Sequence, residues 1–241
     1  MAAELVDLSS GAPEAIRSRL ALALDVDDIV EARRLARMLQ PWFGVAKVGL
    51  ELFSAAGPEA IEAMQADGFA VFADLKLLDI PTTVNKAARV MGSLGVSYLT
   101  VHTRAGVDHL RAGVEGVADG ASAAGLPTPT CLGITVLTSE QADLIALEQR
   151  VRIVLDAQCG GLVCSASDLA TVRSVAPDVV TVVPGIRPAG VGVDDQARPA
   201  TPSSAIGAGA DVLVIGRAVT HADDPVAAAI AIATEVSNAI G

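Results

Sequence analysis

Eight short apolar runs alternate with segments of helical character along the chain. The runs are rich in Val, Ile, Leu and Ala with few polar interruptions, a pattern typical of parallel strands that are covered on both faces. They occupy residues 20–26, 45–50, 69–77, 98–103, 131–137, 161–165, 179–186 and 211–216. The sequence therefore predicts eight buried strands.

The intervening segments carry the signals of helix ends. Segment 28–40 begins with acidic and ends with basic residues, as the helix dipole prefers, and segment 58–66 begins with proline and is followed by Gly68. The predicted helices cover residues 28–40, 58–66, 82–94, 107–124, 139–157, 167–175, 202–206 and 224–240, with two helices expected within 139–157.

Strand–helix alternation repeated eight times, at about 30 residues per repeat, is the spacing of a (β/α)8 TIM barrel. The alternative is a doubly wound open sheet, which usually carries a glycine-rich turn after an early strand. Here the first strand is followed by Asp25-Val26-Asp27-Asp28, without glycine. We expect one α/β barrel domain over residues 20–241, preceded by an N-terminal arm or short capping helix over residues 1–19.

Length and composition agree with a single barrel and disfavour some partners. The chain has 241 residues; acidic residues outnumber basic ones 28 to 17, and aromatic residues make up 2%. A negatively charged surface repels phosphate backbones, and few aromatic side chains are present for base stacking. Nucleic acid is therefore not an expected partner. A small phosphorylated ligand would need a local cationic pocket.

The cysteines point to a reducing compartment. Cys131, Cys159 and Cys164 form no CxxC pair and no metal-finger spacing, and their odd number argues against a disulfide framework. We expect them to be buried as small apolar residues. No signal peptide or membrane-spanning run is evident, so a soluble, cytoplasmic protein without a membrane partner is expected.

The segment FADLKLLDIPTT, residues 72–83, carries the strongest chemical signal. Side chains two residues apart in a strand face the same side, so Asp74 and Lys76 should point together into the barrel mouth, with Asp79 just beyond the strand. Flanking carboxylates favour a charged ammonium, whereas a Schiff-base lysine needs surroundings that favour the neutral amine. Lys76 is therefore predicted to be a proton donor or cationic stabiliser positioned by Asp74. The alternative is a structural salt bridge at the strand end.

The ends of the last two strands are typical of a phosphate site. Strand eight ends in Gly216-Arg217, where glycine permits close backbone approach and arginine can bind phosphate through two hydrogen bonds. Strand seven ends near Arg187, and the long irregular loop 188–199 is predicted to be a mobile lid. The alternative is an ordinary loop glycine beside a surface arginine.

The sequence predicts no metal site. Asp74 and Asp79 are the candidates for magnesium ligands, but the ammonium of Lys76 between them disfavours a cation. His102 is expected to be a hydrogen-bonded histidine of the barrel interior, and His109 has no evident partner.

Six motifs taken together resemble one known family. They are LALALDV, AKVGLELF, FADLKLLDIPTTV, GITVLTS, VPGIRPAG with DDQAR, and VLVIGRAVT, and they run in order from Leu20 to Thr220. The chain resembles the orotidine 5′-phosphate decarboxylases, most of all their shorter bacterial branch. The resemblance implies cofactor-free decarboxylation of orotidine 5′-phosphate to UMP, the last step of de novo pyrimidine nucleotide synthesis.

The resemblance also implies roles for the site residues. Lys76 would protonate C6 as carbon dioxide leaves, and Asp74 would lie near the departing carboxylate and orient Lys76. Asp25 and Lys47 would hold the ribose hydroxyls and complete a charged network. The remaining substrate-binding residues would be Thr138 at the pyrimidine, Gln196, Gly216 and Arg217 at the phosphate, and Pro184 and Arg187 at the border of the pocket.

Members of this family are homodimers with active sites at the subunit interface, which implies that Asp79 and Thr83 reach the partner's ligand. Two alternatives stay open. A related barrel with an Asp-x-Lys-x-x-Asp strand, such as a keto-sugar-phosphate decarboxylase or a hexulose-phosphate synthase, would use magnesium. A non-catalytic nucleotide-binding barrel would bind UMP and leave orotidine 5′-phosphate intact.

Overall fold

The computed structural model describes residues 7–136, 144–188 and 200–240. Eight parallel strands pair in chain order, and the last pairs with the first, so the sheet closes into a barrel. The strands are β1 Leu20–Ala23, β2 Val45–Val48, β3 Ala70–Leu77, β4 Tyr98–His102, β5 Thr130–Ile134, β6 Gly161–Val163, β7 Val180–Val183 and β8 Val212–Ile215. The predicted (β/α)8 barrel is confirmed, and the open doubly wound sheet is excluded.

Helices follow the strands around the barrel. Within the described residues they are α1 Glu14–Arg17, α2 Ile29–Leu39, α3 Leu50–Ala56, α4 Glu59–Ala66, α5 Pro81–Ser93, α6 Val107–Ala124, α7 Leu144–Asp156, α8 Leu169–Val175, α9 Pro202–Gly207, α10 Arg217–Thr220 and α11 Pro225–Ile240. The Asp28 side chain caps α2, and α6 ends at Gly125 with a left-handed φ of 68°. No helix in the described part of the chain is long and apolar enough to span a membrane.

Several predicted boundaries at the barrel mouth are wrong. The apolar run 45–50 continues past the end of β2, and Leu50 begins helix α3. Apolar character misleads here because Leu50 is 55% exposed and follows Gly49 at the helix start. Helix α10 was also missed, since its four residues are too few to show a period. Of the predicted segment 139–157, the described part forms a single helix, α7.

Both faces of the barrel wall are buried, which explains the near-continuous apolar runs. Every residue of β1, β2 and β8 is buried. One face packs inward, where mostly small aliphatic side chains fill the barrel, and the other packs against the helices. The inner cluster consists of Ala21, Ala23, Val45, Phe72, Leu132, Val182, Val212 and Val214.

The described part of the N-terminal segment packs beside the chain that leads into β2. The indole N–H of Trp42 donates to the carbonyl of Leu8 at 2.8 Å, and the N–H of Ala12 donates to the carbonyl of Pro41 at 2.8 Å. Because these residues precede β2, the contacts lie at the amino ends of the strands. The segment is therefore on the side of the barrel away from the predicted site.

The start of β3 is tied to α2 by Asp67. Its carboxylate accepts hydrogen bonds from Nε and Nη2 of Arg33 and from Nε of Arg37, each at 2.9 Å. The Arg33 hydrogen bonds, supported by Arg37, hold the pKa of Asp67 below its usual range. A lowered folded-state pKa stabilises the fold at neutral pH, and that stabilisation is lost as the pH falls through the folded-state value.

The cysteines are all buried and free, as predicted. The thiol of Cys159 donates to the carbonyl of Cys131 at 3.0 Å. The Cys131 thiol donates to the sulfur of Cys159, and this hydrogen bond, together with burial, raises the pKa of Cys131. These side chains occupy core positions, as small apolar residues would.

Candidate active site

Strand β3 is irregular where it carries the predicted Asp–Lys pair. Ala73 pairs with Leu99 of β4 and Leu77 pairs with Val101, so β3 advances by four residues while β4 advances by two. The extra residues form a bulge. Lys76 within this bulge has a φ of 49°, a left-handed conformation that costs a non-glycine residue about 1–3 kcal/mol. Such a conformation persists only where neighbouring contacts hold it.

The predicted side-chain alternation survives the bulge. Phe72, Asp74 and Lys76 line a cavity at the barrel mouth, whereas Leu75 belongs to the core between strands and helices. The Asp74 and Lys76 side chains therefore share the inner face, as their spacing predicts.

Four side chains form a continuous line of alternating charge. The Nζ atom of Lys47 lies 2.9 Å from Oδ1 of Asp25 and 3.8 Å from Oδ2 of Asp74. The Nζ atom of Lys76 lies 2.6 Å from the same Asp74 oxygen. The Lys47 and Asp74 side chains are nearly buried, at 10% and 12% exposure, so each needs its opposite charge close by. We call these residues the Asp25–Lys47–Asp74–Lys76 network.

Gly49 makes room for one end of this network. A Cβ atom at this position would lie 2.9 Å from Nζ of Lys47 and 3.1 Å from Oδ1 of Asp25. Any side chain would therefore press directly on the Lys47–Asp25 ion pair. The close approach explains a glycine immediately after β2, where the sequence shows no turn that needs one.

The network lies on the wall of a cavity at the carboxyl ends of the strands. The volume of about 500 Å³ is within the range of roughly 300–1,000 Å³ that small-molecule sites occupy. Apolar side chains make up another part of the wall, and they include Ala23, Phe72, Ile134, Val136, Val163, Cys164 and Val214. The cavity thus combines charged groups with an apolar surface that suits a flat ring.

Four more predicted site residues line the same cavity from the ends of β7 and β8: Pro184, Arg187, Gly216 and Arg217. Arg187 is nearly buried, and its backbone N–H donates to the carbonyl of Ala200 at 2.9 Å. Among the lining residues that the structure describes, four cationic side chains face three carboxylates, a local excess of positive charge in a chain of formal charge −11. An excess of this sign is compatible with a phosphorylated ligand.

Asp79 and Thr83 do not line the cavity of their own chain. Both are exposed, and Oδ1 of Asp79 accepts a hydrogen bond from the N–H of Ile80 at 2.6 Å. Leu78 and Ile80 on either side of Asp79 are 51% and 66% exposed. The segment that carries Asp79 therefore presents a carboxylate and apolar side chains on the outside of the barrel.

His109 of α6 anchors this segment from the protein interior. Its ring atom Nδ1 lies 2.8 Å from the carbonyl oxygen of Asp79, and Nε2 lies 3.3 Å from the carbonyl oxygen of Leu77. The imidazole is 1% exposed. Because it is fixed, the backbone on both sides of Leu78 has a defined position.

His102 is also buried, at the end of β4.

Two predicted substrate-binding residues, Thr138 and Gln196, lie outside the described residues, as does segment 189–199 of the predicted lid. Within the described ranges, no group of three or more His, Cys, Asp or Glu side chains could hold a metal ion. The two carboxylates considered as magnesium ligands are not brought together, since Asp74 faces the cavity and Asp79 does not.

Sequence reasoning missed Thr100, which touches both members of the Asp–Lys pair. Its hydroxyl donates to Oδ1 of Asp74 at 3.0 Å and accepts from the backbone N–H of Lys76 at 2.9 Å. The available signal was a threonine in the middle of the apolar run 98–103, on the strand that follows β3. That signal is weak alone, because a buried threonine can equally bond to a backbone carbonyl.

The comparisons agree on one family. The family model described as orotidine 5′-phosphate decarboxylase / HUMPS family matches residues 18–232. A relative from Anaeromyxobacter sp. (strain K), named orotidine 5′-phosphate decarboxylase, is 44% identical over 227 residues, which covers 89% of this chain and 96% of the relative. A relative of the same name from Thermobifida fusca is 45% identical over 230 residues, covering 90% and 95%.

A solved structure shows the same architecture. The crystal structure of orotidine 5′-phosphate decarboxylase from Lactobacillus acidophilus matches with a TM-score of 0.74 and 31% sequence identity, covering 90% of this chain and 98% of that one. The match by the family model, residues 18–232, includes every predicted site residue from Asp25 to Arg217.

Proposed function

The chain belongs to the orotidine 5′-phosphate decarboxylase / HUMPS family, and on that premise we propose how its cavity carries out the reaction. The protein is a carboxy-lyase that converts orotidine 5′-phosphate to UMP and carbon dioxide, the final step of UMP biosynthesis. The observation that carries the proposed mechanism is the Asp25–Lys47–Asp74–Lys76 network on the cavity wall.

Lys76 is the proton donor in this proposal. When the bond between C6 and the carboxylate breaks, carbon dioxide leaves and the electron pair stays on C6. An ammonium held beside C6 stabilises that charge as it develops and then delivers a proton to C6, while water restores the proton on the amine. The contact of 2.6 Å between Lys76 and Asp74 supports this role, because Asp74 holds the ammonium in place.

Asp74 has a second role in this proposal. Its carboxylate lies near the carboxylate of the bound substrate, and the two negative charges repel until carbon dioxide departs. Asp74 is fixed in position because both of its oxygens have donors: Oδ1 accepts from Thr100, and Oδ2 accepts from Lys76 with Lys47 3.8 Å away. A carboxylate held in this way cannot turn to avoid the substrate.

The rest of the cavity orients the nucleotide. Asp25 and Lys47 bind the ribose hydroxyls, and Thr138 binds the pyrimidine. Gln196, Gly216 and Arg217 bind the phosphate, with Pro184 and Arg187 at the border. The excess of cationic side chains in the cavity supports the phosphate assignment. Three free cysteines favour a reducing compartment, the cytoplasm, for this reaction.

Decarboxylation without a metal is the first test. Purified protein mixed with orotidine 5′-phosphate and an excess of chelator should consume the substrate at the same rate as without chelator, because ammonium groups occupy the place of a cation beside Asp74. The loss of orotate absorbance measures turnover, and a magnesium-dependent enzyme in the same buffer verifies chelation. No turnover would contradict the proposed activity, and turnover that needs added magnesium would favour the sugar-phosphate alternative.

The second part of the proposal is a homodimer with shared active sites. Asp79 and Thr83 complete the cavity of the partner, since neither lines its own. A second copy of the chain is the occupant that fits this face, because exposed apolar side chains accompany both residues. Leu78 and Ile80 flank Asp79, and Val90 lies two helical turns from Thr83 on the same face of α5.

Mixed dimers test the sharing directly. Lys76→Ala and Asp79→Ala chains, each nearly inactive alone, should regain about one quarter of the parent activity when co-expressed, because half of the dimers are hybrids with one intact site of two. Differently tagged chains allow the hybrid to be purified and assayed. Pairing Lys76→Ala with a Lys76→Ala/Asp79→Ala chain is the control and should restore nothing. Failure of the first pair to regain activity would mean that Asp79 serves its own chain.

A further inference from the structure

Thr100 lies on β4 opposite the bulge of β3. The residues that flank the bulge on β4 are Leu99 and Val101, and Thr100 stands between them with no exposed surface. Its side chain is therefore enclosed at the place where β3 departs from regular pairing. A buried hydroxyl needs hydrogen-bond partners, and both of its partners belong to the catalytic pair.

The direction of these hydrogen bonds follows from the donors available. The backbone N–H of Lys76 can only donate, so the Thr100 oxygen accepts from it at 2.9 Å. The single hydroxyl proton is then used toward Oδ1 of Asp74 at 3.0 Å. An ionised carboxylate can only accept, which matches this direction. One hydroxyl thus connects the backbone of Lys76 to the side chain of Asp74.

This connection closes a ring with the ion pair. Lys76 reaches Asp74 a second time through Nζ, which lies 2.6 Å from Oδ2. Thr100 holds Oδ1 while Lys76 holds Oδ2, so rotation of the carboxylate breaks one contact or the other. The hydrogen bond to the Lys76 N–H also supports a left-handed backbone, with φ of 49°, that aims the lysine into the cavity.

We propose that Thr100 is a positioning residue for decarboxylation, and this inference rests on the proposed function. Thr100 does not line the cavity and so does not touch substrate. It acts by fixing the carboxylate of Asp74 and the backbone of Lys76 in one geometry. The hydroxyl of Thr100, rather than its methyl group, carries this positioning role.

Three variants separate a positioning role from a structural one. Thr100→Val removes the hydroxyl at nearly constant volume, and Thr100→Ser keeps the hydroxyl and removes a methyl. The matched control is Thr181→Val, near the amino end of β7 and so at the opposite end of the barrel from the cavity. Thr181 is also fully buried and its hydroxyl also lies within hydrogen-bond distance of an aspartate, Oδ2 of Asp211 at 3.1 Å, but it is remote from the cavity.

The measurements are kcat and KM for orotidine 5′-phosphate, UMP affinity by calorimetry, and Tm. Thr100→Val should lower kcat about 100-fold, with KM and UMP affinity within about threefold of the parent, because a small displacement of reacting groups has an effect of that size. Thr100→Ser should stay within about threefold of the parent in kcat. Thr181→Val should lower Tm and leave kcat unchanged.

Each outcome decides the question. A Thr100→Val enzyme with kcat within threefold of the parent would overturn the proposal. A serine variant as slow as the valine variant would also overturn it, because packing of the methyl group would then explain the loss. If parent and variants all bind UMP and none decarboxylates the substrate, the proposed function fails and this inference fails with it. An active parent with an unaffected valine variant contradicts the role of Thr100 alone.

Discussion

Replacing Lys76 by alanine is expected to lower kcat by about 10⁴-fold or more. General acid catalysis contributes about 10²–10⁴-fold, and a preorganised electrostatic group at the developing charge contributes about 10²–10³-fold. Lys76 would supply both effects at C6, so removing its amine removes both together. Single-turnover decarboxylation of orotidine 5′-phosphate by Lys76→Ala and parent enzyme measures the loss.

A cationic residue remote from the cavity provides the control for this variant. Arg34 is exposed on α2, where it pairs with Glu31. Arg34→Ala should therefore keep a kcat close to that of the parent. UMP binding to Lys76→Ala, measured by calorimetry, verifies that the cavity is intact. A Lys76→Ala enzyme that still turns over at more than one-tenth of the parent rate would remove Lys76 from the mechanism.

Removing Arg217 is expected to lower kcat/KM for orotidine 5′-phosphate by about 10²–10⁴-fold. A bidentate arginine–phosphate contact consists of two charge-assisted hydrogen bonds, each worth about 1.5–3 kcal/mol. Phosphate binding is remote from C6, but it can support the reacting end by holding the pyrimidine against Lys76. Steady-state kinetics of Arg217→Ala measure the effect.

A substrate without phosphate separates this role from general damage. Orotidine lacks the group that Arg217 would bind, so parent and Arg217→Ala enzymes should decarboxylate it at the same low rate. Arg34→Ala removes an arginine that is paired with Glu31 on the surface of α2, and it should leave both substrates unaffected. An unchanged kcat/KM for orotidine 5′-phosphate in Arg217→Ala would place the phosphate elsewhere in the cavity.

The barrel and most of its candidate site could be predicted from local pattern. A strand covered on both faces must be apolar at every position, so runs such as 45–50 reveal its presence. In a barrel the carboxyl ends of all strands meet at one mouth, so Asp25, Lys76 and Arg217 were expected to converge although they are far apart in the chain. The structure places all three on one cavity.

The strand ends could not be predicted in the same way. Apolar residues continue beyond the last hydrogen-bonded pair because they pack in loops and short helices as well as in strands. The apolar runs 20–26 and 45–50 extend over Val26 and Leu50 for that reason, and neither residue belongs to a strand. The length of a strand depends on the register of its neighbours, which is absent from a local pattern.

The sequence by itself determined which side chains are available to the site. The side-chain period of two puts Asp74 and Lys76 on one face of β3, and the order of the family motifs identifies the remaining site residues. Only the tertiary structure decided how those groups are held. Thr100 bridges Asp74 and Lys76 across a bulge, Gly49 leaves room for the Lys47–Asp25 pair, and Asp79 lies outside its own cavity. These relations join neighbouring strands and loops, so they arise from register and close packing, which no local pattern of residues contains.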